Sequence, residues 1–254
     1  LAPFIEVAPQ VTAAHDAVRN AQQRLGEIEP ERIFELLRDP LSSLQGQLDD
    51  VASLTATASR AVQLIPPMLG AEEPRDYILM VQNNSEPRST GGLTGAFLHL
   101  RADDGAIELL EQRSAVELGS FPEPAVPLTD TEVALFGTQL GRYPGNVTAT
   151  PHFPRSAEII TTMWRERVGD DVDGVFSLDP VALGAVLEAT EPIEVPEEAL
   201  WELGAPAEFL GDDTHLTADN VADLMLNGVY RLIAEPSDQD EFFELAAAGI
   251  FSQA

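Results

Sequence analysis

Tyr77-Ile78-Leu79-Met80-Val81-Gln82 is an uninterrupted run of strand length, apolar up to its final glutamine, and the rest of the fold must be arranged to bury it. A strand that is apolar at successive positions fits burial on both faces, unlike the alternating strands of a one-sided sheet. The downstream sequence supplies the covering elements. Leu93 to Leu100 predicts a second strand, and Asp103-Asp104-Gly105 is a turn signal before a third, Ile107 to Leu110, so that pair forms a hairpin. Ser156 to Arg167 predicts a helix and Val172 to Leu178 a strand. Asp179-Pro180 opens the next helix, Val181 to Leu187, with aspartate as N-cap and proline at the first helical position. Ile193-Glu194-Val195 is a short strand, Thr217 opens a helix through Val229, and Asp238 to Ala248 forms the last. Residues 118 to 153, rich in Pro, Thr and Gly, read mostly as a long loop, of a length that marks function or mobility. Strands alternating with helices after residue 75 predict a layered α/β domain around a central sheet.

The region before it is different. Val11, Ala14, Val18, Ala21 and Leu25 recur at spacings of three and four, as do Leu41, Leu44, Leu48, Val51 and Leu54. A short helical pattern from Ile33 to Leu37 lies between them and ends at Asp39-Pro40, and Pro66-Pro67 is expected to stop the last helix. Residues 1–69 thus read as a helical extension or stalk and 70–254 as the α/β domain.

Composition narrows the partners. The net charge is −29, from 43 acids against 14 bases, and every base is an arginine. A field of that sign repels phosphate backbones, which argues against a nucleic-acid partner. Absence of lysine beside abundant Ala, Gly, Pro and Arg fits a GC-rich, actinobacterial type of genome. No cysteine is present, so disulfides, zinc–thiolate sites and cysteine nucleophiles are excluded. No apolar run approaches the roughly 20 residues that span a bilayer. A chain starting at Leu1 is expected to be a fragment, with any signal or membrane anchor lying outside it.

Chemistry is expected where the first strand ends. Open α/β sheets bind ligands beyond the carboxyl ends of their strands, which is where Asn83 to Gly95 is expected to form a polar loop. Arg88 offers a bidentate fork, Asn83 and Asn84 offer amides, and Gly91-Gly92 permits close approach of backbone N–H groups. Glu86 is a carboxylate suited to act as base, nucleophile or metal ligand. The competing reading is an ordinary turn in which Arg88 and Glu86 pair with each other. Elsewhere, Asp170-Asp171-Val172-Asp173-Gly174 lacks the remaining ligands of a calcium loop and reads as a turn. His15, His99, His152 and His215 have no metal-ligand spacing, and Trp164 reads as core.

The strand Tyr77–Gln82 running into Asn83-Asn84-Ser85-Glu86-Pro87-Arg88-Ser89-Thr90-Gly91-Gly92, with Phe153-Pro154, Asp173-Gly174-Val175, Asp179-Pro180 and Leu216-Thr217-Ala218-Asp219-Asn220, resembles the domain-of-unknown-function 4012 family. The resemblance covers roughly residues 70 to 250. That family is in turn distantly similar to the LytR-CpsA-Psr enzymes, through the arginine-bearing segment followed by a hairpin with Gln112-Arg113-Ser114, and through Asp173 to Asp179 followed by a helix and Ile193-Glu194-Val195. These enzymes are membrane-anchored extracytoplasmic phosphotransferases with an α-β-α sandwich around a central mixed sheet. They move a glycopolymer from a polyprenyl-pyrophosphate lipid onto peptidoglycan.

The resemblance implies catalytic roles for Glu86, Arg88 and Asp179, and substrate binding by Asn83, Asn84, Thr90, Gly91, Gly92, Arg113, His152 and Asn220. It also implies Mg²⁺ if the chemistry is phosphotransferase-like, a polyprenyl-linked glycan or cell-wall polysaccharide as partner, and an extracytoplasmic location. Three positions depart from the patterns. Arg88-Ser89-Thr90-Gly91 stands where Arg-Ser-Asp-Thr would place the metal-binding aspartate, His152 replaces an aspartate before Phe153-Pro154, and Glu191 replaces a glycine before Pro192. A glycoside hydrolase or transglycosylase acting on arabinan or galactan is the alternative, pairing Glu86 with Glu117, Asp173 or Asp179 across roughly 5 to 9 Å. A non-catalytic wall-binding module needs neither.

Overall fold

The computed structural model describes residues 1–29, 34–205, 210 and 215–252. The chain divides into two compact units, one of residues 1–74 with the hairpin tip 102–106, the other of residues 75–101 and 107–254.

The first unit is built on two long helices, α1 (Ala2–Gly26) and α2 (Arg38–Met68). Between them Glu35–Leu37 forms a 3₁₀ turn, and the Ile33 at which the short helix was expected to start lies outside the described residues. Two expectations about proline are corrected here. Asp39-Pro40 opens α2 instead of ending a helix, because a proline in the first turn sacrifices no intrahelical bond. Pro66-Pro67 does not stop α2, which runs one residue further, to Met68. The stop is Gly70, at φ 76°, where the Gly70 N–H reaches Pro67 O (3.3 Å) and the Ala71 N–H reaches Pro66 O (3.0 Å). That paired closure on a left-handed glycine satisfies the last carbonyls of the helix.

The second unit is a mixed α/β structure. Its sheet has the order β3-β2-β1-β4, with β1 (Arg75–Arg88), β2 (Gly91–Asp103), β3 (Ala106–Ser114) and β4 (Gly174–Leu178). β1 and β4 are parallel, with Tyr77 opposite Gly174 and Val81 opposite Leu178. Asp104 and Gly105, both at positive φ, make the predicted turn between β2 and β3. One expectation changes materially. β1 does not give way to a loop at Asn83 but continues to Arg88, and only Ser89 and Thr90 separate it from β2. The polar stretch is therefore a hairpin arm, because the backbone of Asn83 to Arg88 stays extended although its side chains are not those of a typical strand.

Successive β1 residues serve opposite faces, as the apolar run required. Ile78 and Met80 join Phe97 in a core with α5 (Phe153–Arg167), whose buried Ser156, Ile159, Ile160, Met163 and Trp164 follow helical spacing. Leu79 and Val81 pack with Leu98, Leu100 and Ala247 on the other side. Leu183, Leu216, Val221 and Phe242 centre a further apolar cluster. It gathers α6 (Pro180–Leu187), the short β5–β6 pair (Ile193–Glu194 with His215–Leu216) and α10 (Pro236–Ser252). Between them lie α7 (Glu197–Glu202), α8 (Val221–Asp223), a π-helical segment Leu224–Gly228 and α9 (Val229–Leu232).

The expected long loop from 118 to 153 is more regular than its Pro and Gly content suggests. It follows the short α3 (Ala115–Leu118) and contains α4 (Asp130–Phe136) and 3₁₀ turns at Thr138–Gly141 and Pro144–Ala149. The overlooked signal was Thr129-Asp130-Thr131-Glu132, a capping box in which Glu132 N donates to Thr129 Oγ1 and Thr129 N to Glu132 Oε2. Arg155 of α5 ties the segment down through Glu132 (2.8 Å) and Pro127 O (2.6 Å). The Arg155 hydrogen bond, and then the Thr129 backbone N–H, hold the Glu132 carboxyl below the usual carboxylate range.

A depressed folded-state pKa gives stability that is present above the unfolded value and lost as pH falls through the folded one. Glu132→Gln keeps the capping geometry but removes the charge. We expect it to cost about 1 kcal/mol at pH 7. It should also flatten the decline in stability below about pH 4.5. Urea unfolding of both proteins between pH 3 and 7 measures this; parallel curves would refute it.

Candidate active site

On the sheet face that carries Leu79 and Val81 lies a cavity of about 130 Å³. Leu79, Val81, Ala96 and Leu98 form its floor, and Gly95 leaves one position without a side chain. Leu183 of α6, Met225 and Leu226 of the π segment, and Phe243 and Ala247 of α10 cover it. As it stands the space matches one small apolar group, since a cavity of about 150 Å³ holds a benzene ring. A π segment, uncommon in helices and frequent at functional sites, contributes to the wall.

The polar lining comes from the carboxyl ends of the strands. Gln82 and Asn83 end the buried part of β1, Gln112 and Ser114 end β3, Asp179 follows β4, and Tyr230 comes from α9. Asp179 does two things. Its Oδ1 accepts from Ala182 N (2.7 Å) as the predicted N-cap of α6, and its Oδ2 accepts from Asn84 Nδ2 (2.7 Å). Asn83 Nδ2 donates to Tyr230 Oη (3.3 Å), while its Oδ1 accepts from Ser85 N (2.9 Å). Gln82 is almost fully buried and its Oε1 accepts from Gly92 N (3.1 Å). The Gln82 side chain and the Asn83 backbone together explain the glycine pair. A Cβ on Gly91 would lie 2.0 Å from Gln82 Oε1, and one on Gly92 would lie 2.2 Å from the backbone oxygen of Asn83. The Gly92 N–H serves the hairpin itself rather than a ligand.

Beyond Asn83 the arm is half-buried at Asn84 and Arg88 and exposed from Ser85 to Pro87. At about 3.3 Å per strand residue, Glu86 lies roughly 10 Å and Arg88 roughly 16 Å further along β1. Neither lines the cavity. They do not pair with each other: Arg88 Nη1 donates to its neighbour Pro87 O (3.1 Å), and Glu86 has no polar partner among the described residues. Thr90 donates through N and Oγ1 to Thr148 O (3.2 and 3.1 Å), pinning the hairpin turn.

The other predicted residues lie apart from the cavity. Arg113 pairs with Glu111, and only its neighbours Gln112 and Ser114 contribute lining. His152 is an exposed residue at the start of α5. Asn220 closes a local loop, accepting from Thr217 N (2.7 Å) and donating to His215 O (3.0 Å). Glu117 belongs to a capping box with Ser114. Asp173 accepts from Asp76 N (2.9 Å) and Arg75 Nη1 (2.8 Å), contacts that hold its carboxyl below the usual range, the backbone bond first. Among the carboxylates considered for a glycosidase pair, only Asp179 lines the cavity.

Among the described residues no three His, Asp or Glu side chains are grouped to hold a metal ion, and the position where the pattern places an aspartate is Thr90. Gln82, Gln112, Ser114 and Tyr230 are polar lining residues that residue types alone did not mark. A glutamine closing an apolar strand was the available signal.

No curated protein and no solved structure matches this chain. The model of the family described as "Protein of unknown function (DUF4012)" matches residues 72–230, more than half the sequence and nearly all of the elements that build the cavity. The chain belongs to the DUF4012 family.

Proposed function

We propose that the domain is a cell-envelope, extracytoplasmic enzyme that processes a lipid-linked glycan, built as a LytR-CpsA-Psr-like α-β-α sandwich. The observation that carries this reading is the cavity: apolar along the sheet, polar at the carboxyl ends of the strands, and followed along β1 by an arm bearing the exposed Glu86 and the half-buried Arg88. An isoprenoid tail occupies the apolar part, and the glycan leaves over the arm. Residues two apart in a strand share a face about 7 Å apart, so Glu86 and Arg88 address the same stretch of glycan. Glu86 takes the proton of an acceptor hydroxyl as its oxygen bonds to the phosphorus that carries the glycan; the bond from that phosphorus to the lipid-phosphate oxygen breaks, the lipid phosphate leaves, and Arg88 stabilises negative charge on the phosphoryl group transferred. Binding a long tail requires the cavity to widen, and the π segment is the wall that shifts.

Binding of a short-chain polyprenyl-linked saccharide, followed by calorimetry, tests this. Ala96→Trp fills the floor and is expected to weaken binding at least about tenfold, equivalent to about 1.4 kcal/mol. Glu86→Gln is expected to leave binding intact and abolish transfer to a wall-glycan acceptor. Equal affinity for the free saccharide without its lipid would refute the lipid reading and favour a wall-polysaccharide hydrolase or binding module.

A further inference from the structure

The two helices of the first unit leave one side of their pair uncovered. They run antiparallel: Gln45 Nε2 donates to Leu25 O (3.3 Å), Gln22 Nε2 donates to Asp49 Oδ1 (2.7 Å), and Thr55 Oγ1 lies 3.5 Å from His15 Nδ1. They meet along Val11, Val18 and Leu25 of α1 and Leu48, Thr55 and Val62 of α2, all at least partly buried. Three residues on from such a row is a step of about 60° round the helix. There each helix carries a second apolar column at heptad spacing, Val7, Ala14 and Ala21 on α1 and Leu44, Val51, Ala58 and Ile65 on α2. The same step, taken on two antiparallel helices that face each other, leads to the same side of the pair, so the two columns border one groove. Val7, Leu44 and Val51 in it are 45, 46 and 45 % exposed, and Leu54 on its rim is 71 % exposed. The hairpin tip 102–106 meets the pair at the end of α2 instead, where Gly105 N donates to Leu69 O (2.8 Å) and Asp104 N to Gly70 O (3.2 Å). The groove is also free of charge in a chain that is 22 % charged. The next columns outward, through Gln10, Ala17 and Arg24 on α1 and Gln47, Leu54 and Ala61 on α2, add Arg24 alone, while Asp16, Arg19, Asp49 and Arg60 fall on the opposite side of the pair.

We infer that this groove seats the same groove of a second copy, so that two hairpins close into a four-helix bundle. A two-fold dimer needs one patch on each copy that complements itself. With a net charge of −29 two copies repel each other over most of their surfaces, and a neutral apolar face is where they can touch. The area is sufficient. The 25 residues of α1 make the groove about 37 Å long, and two packed helices are about 20 Å across. Each copy then covers about 700 Å² of the other, about 1,400 Å² in all, within the range of stable specific interfaces. An anionic lipid surface suits the groove less well, because the acidic remainder of the chain is repelled by it.

Sedimentation velocity of the whole chain, from about 1 to about 100 μM, is expected to show a reversible dimer with a micromolar dissociation constant. Raising NaCl from about 50 to about 500 mM is expected to tighten it severalfold, by screening the acidic surfaces from each other. Val51→Asp puts a carboxylate into the groove of both copies and is expected to weaken the dimer at least about tenfold with unchanged helical circular dichroism. Ser53→Asp adds the same charge to an exposed position of the same helix outside the groove, and is expected to change the affinity less than about twofold. Cross-linking reads the same face without weakening it. The chain has no cysteine, so Ala58→Cys supplies one thiol per copy in the middle of the groove. A short bis-maleimide is expected to join two such copies and to leave Ser53→Cys copies single. A monomer at every concentration overturns the inference, as does a dimer unmoved by Val51→Asp or joined as readily through Ser53→Cys as through Ala58→Cys. A monomeric chain that floats with phosphatidylcholine vesicles makes a bilayer the occupant of the groove and overturns it too.

Discussion

Gly92→Ala is expected to destabilise the α/β unit by about 3 kcal/mol, the upper part of the range for forced overpacking. The added methyl would lie 2.2 Å from the Asn83 backbone oxygen and 2.3 Å from its carbonyl carbon, so no rotamer relieves it and β1 must move. Movement there also breaks the Gln82 Oε1 bond to Gly92 N and the Thr148 Oγ1 bond to Gly92 O (2.8 Å). Gly91→Ala provides the contrast. Its methyl meets the end of the Gln82 side chain, which can rotate away, although φ of 120° still strains any residue with a Cβ. We expect that variant to lose about 1–2 kcal/mol. Urea unfolding of both proteins decides between steric and ligand-binding roles for the pair. A Gly92→Ala protein as stable as the original, but unable to bind amphiphile, would mean the glycine serves a ligand after all.

The same pair shows what the sequence made legible and what it did not. Tyr77 to Gln82 announced a strand covered on both faces, and Ile78 with Met80 against Leu79 with Val81 show two separate cores on its two sides. Asp179-Pro180 announced a capped helix, because the cap chemistry is local and needs no partner. Trp164 is core, as its helical spacing implied. The arm was misread because Asn83 to Arg88 lacks the apolar alternation of a strand, and its extension is imposed by pairing in the hairpin rather than by propensity. The end of α2 and the start of α4 share one origin, while Pro40 is accommodated because the first helical turn needs no intrahelical N–H bond. Gly70 and the Thr129–Glu132 box are end signals, and they outweighed the nearby prolines. The cavity was the least legible feature. Its lining comes from segments more than a hundred residues apart, and nothing in the spacing of Gln82, Gln112 and Tyr230 says that they meet.

Asp179 is where structure and chemistry meet most closely, and two substitutions separate them. Asp179→Ala is expected to lower stability by about 3 kcal/mol: roughly 1 from the lost helix cap and roughly 2 from leaving the Asn84 amide donor without a partner. Asp179→Asn should lose less than about 1 kcal/mol, because asparagine caps helices about as well as aspartate. Its new amide hydrogens would face Asn84 Nδ2, but Asn84 Oδ1 has no hydrogen-bond partner among the described residues. A half-turn of the Asn84 amide brings that oxygen round to accept from the new donor, and the contact is preserved with its polarity reversed. Unfolding measurements at pH 7 check both values, and the order matters more than either number. Were Asp179→Asn as destabilising as Asp179→Ala, the negative charge itself would be holding α6 and the arm together. With the order as expected, the carboxylate is separable from the fold, and the cap of α6 and the contact with Asn84 need only the shape of the side chain and not its charge.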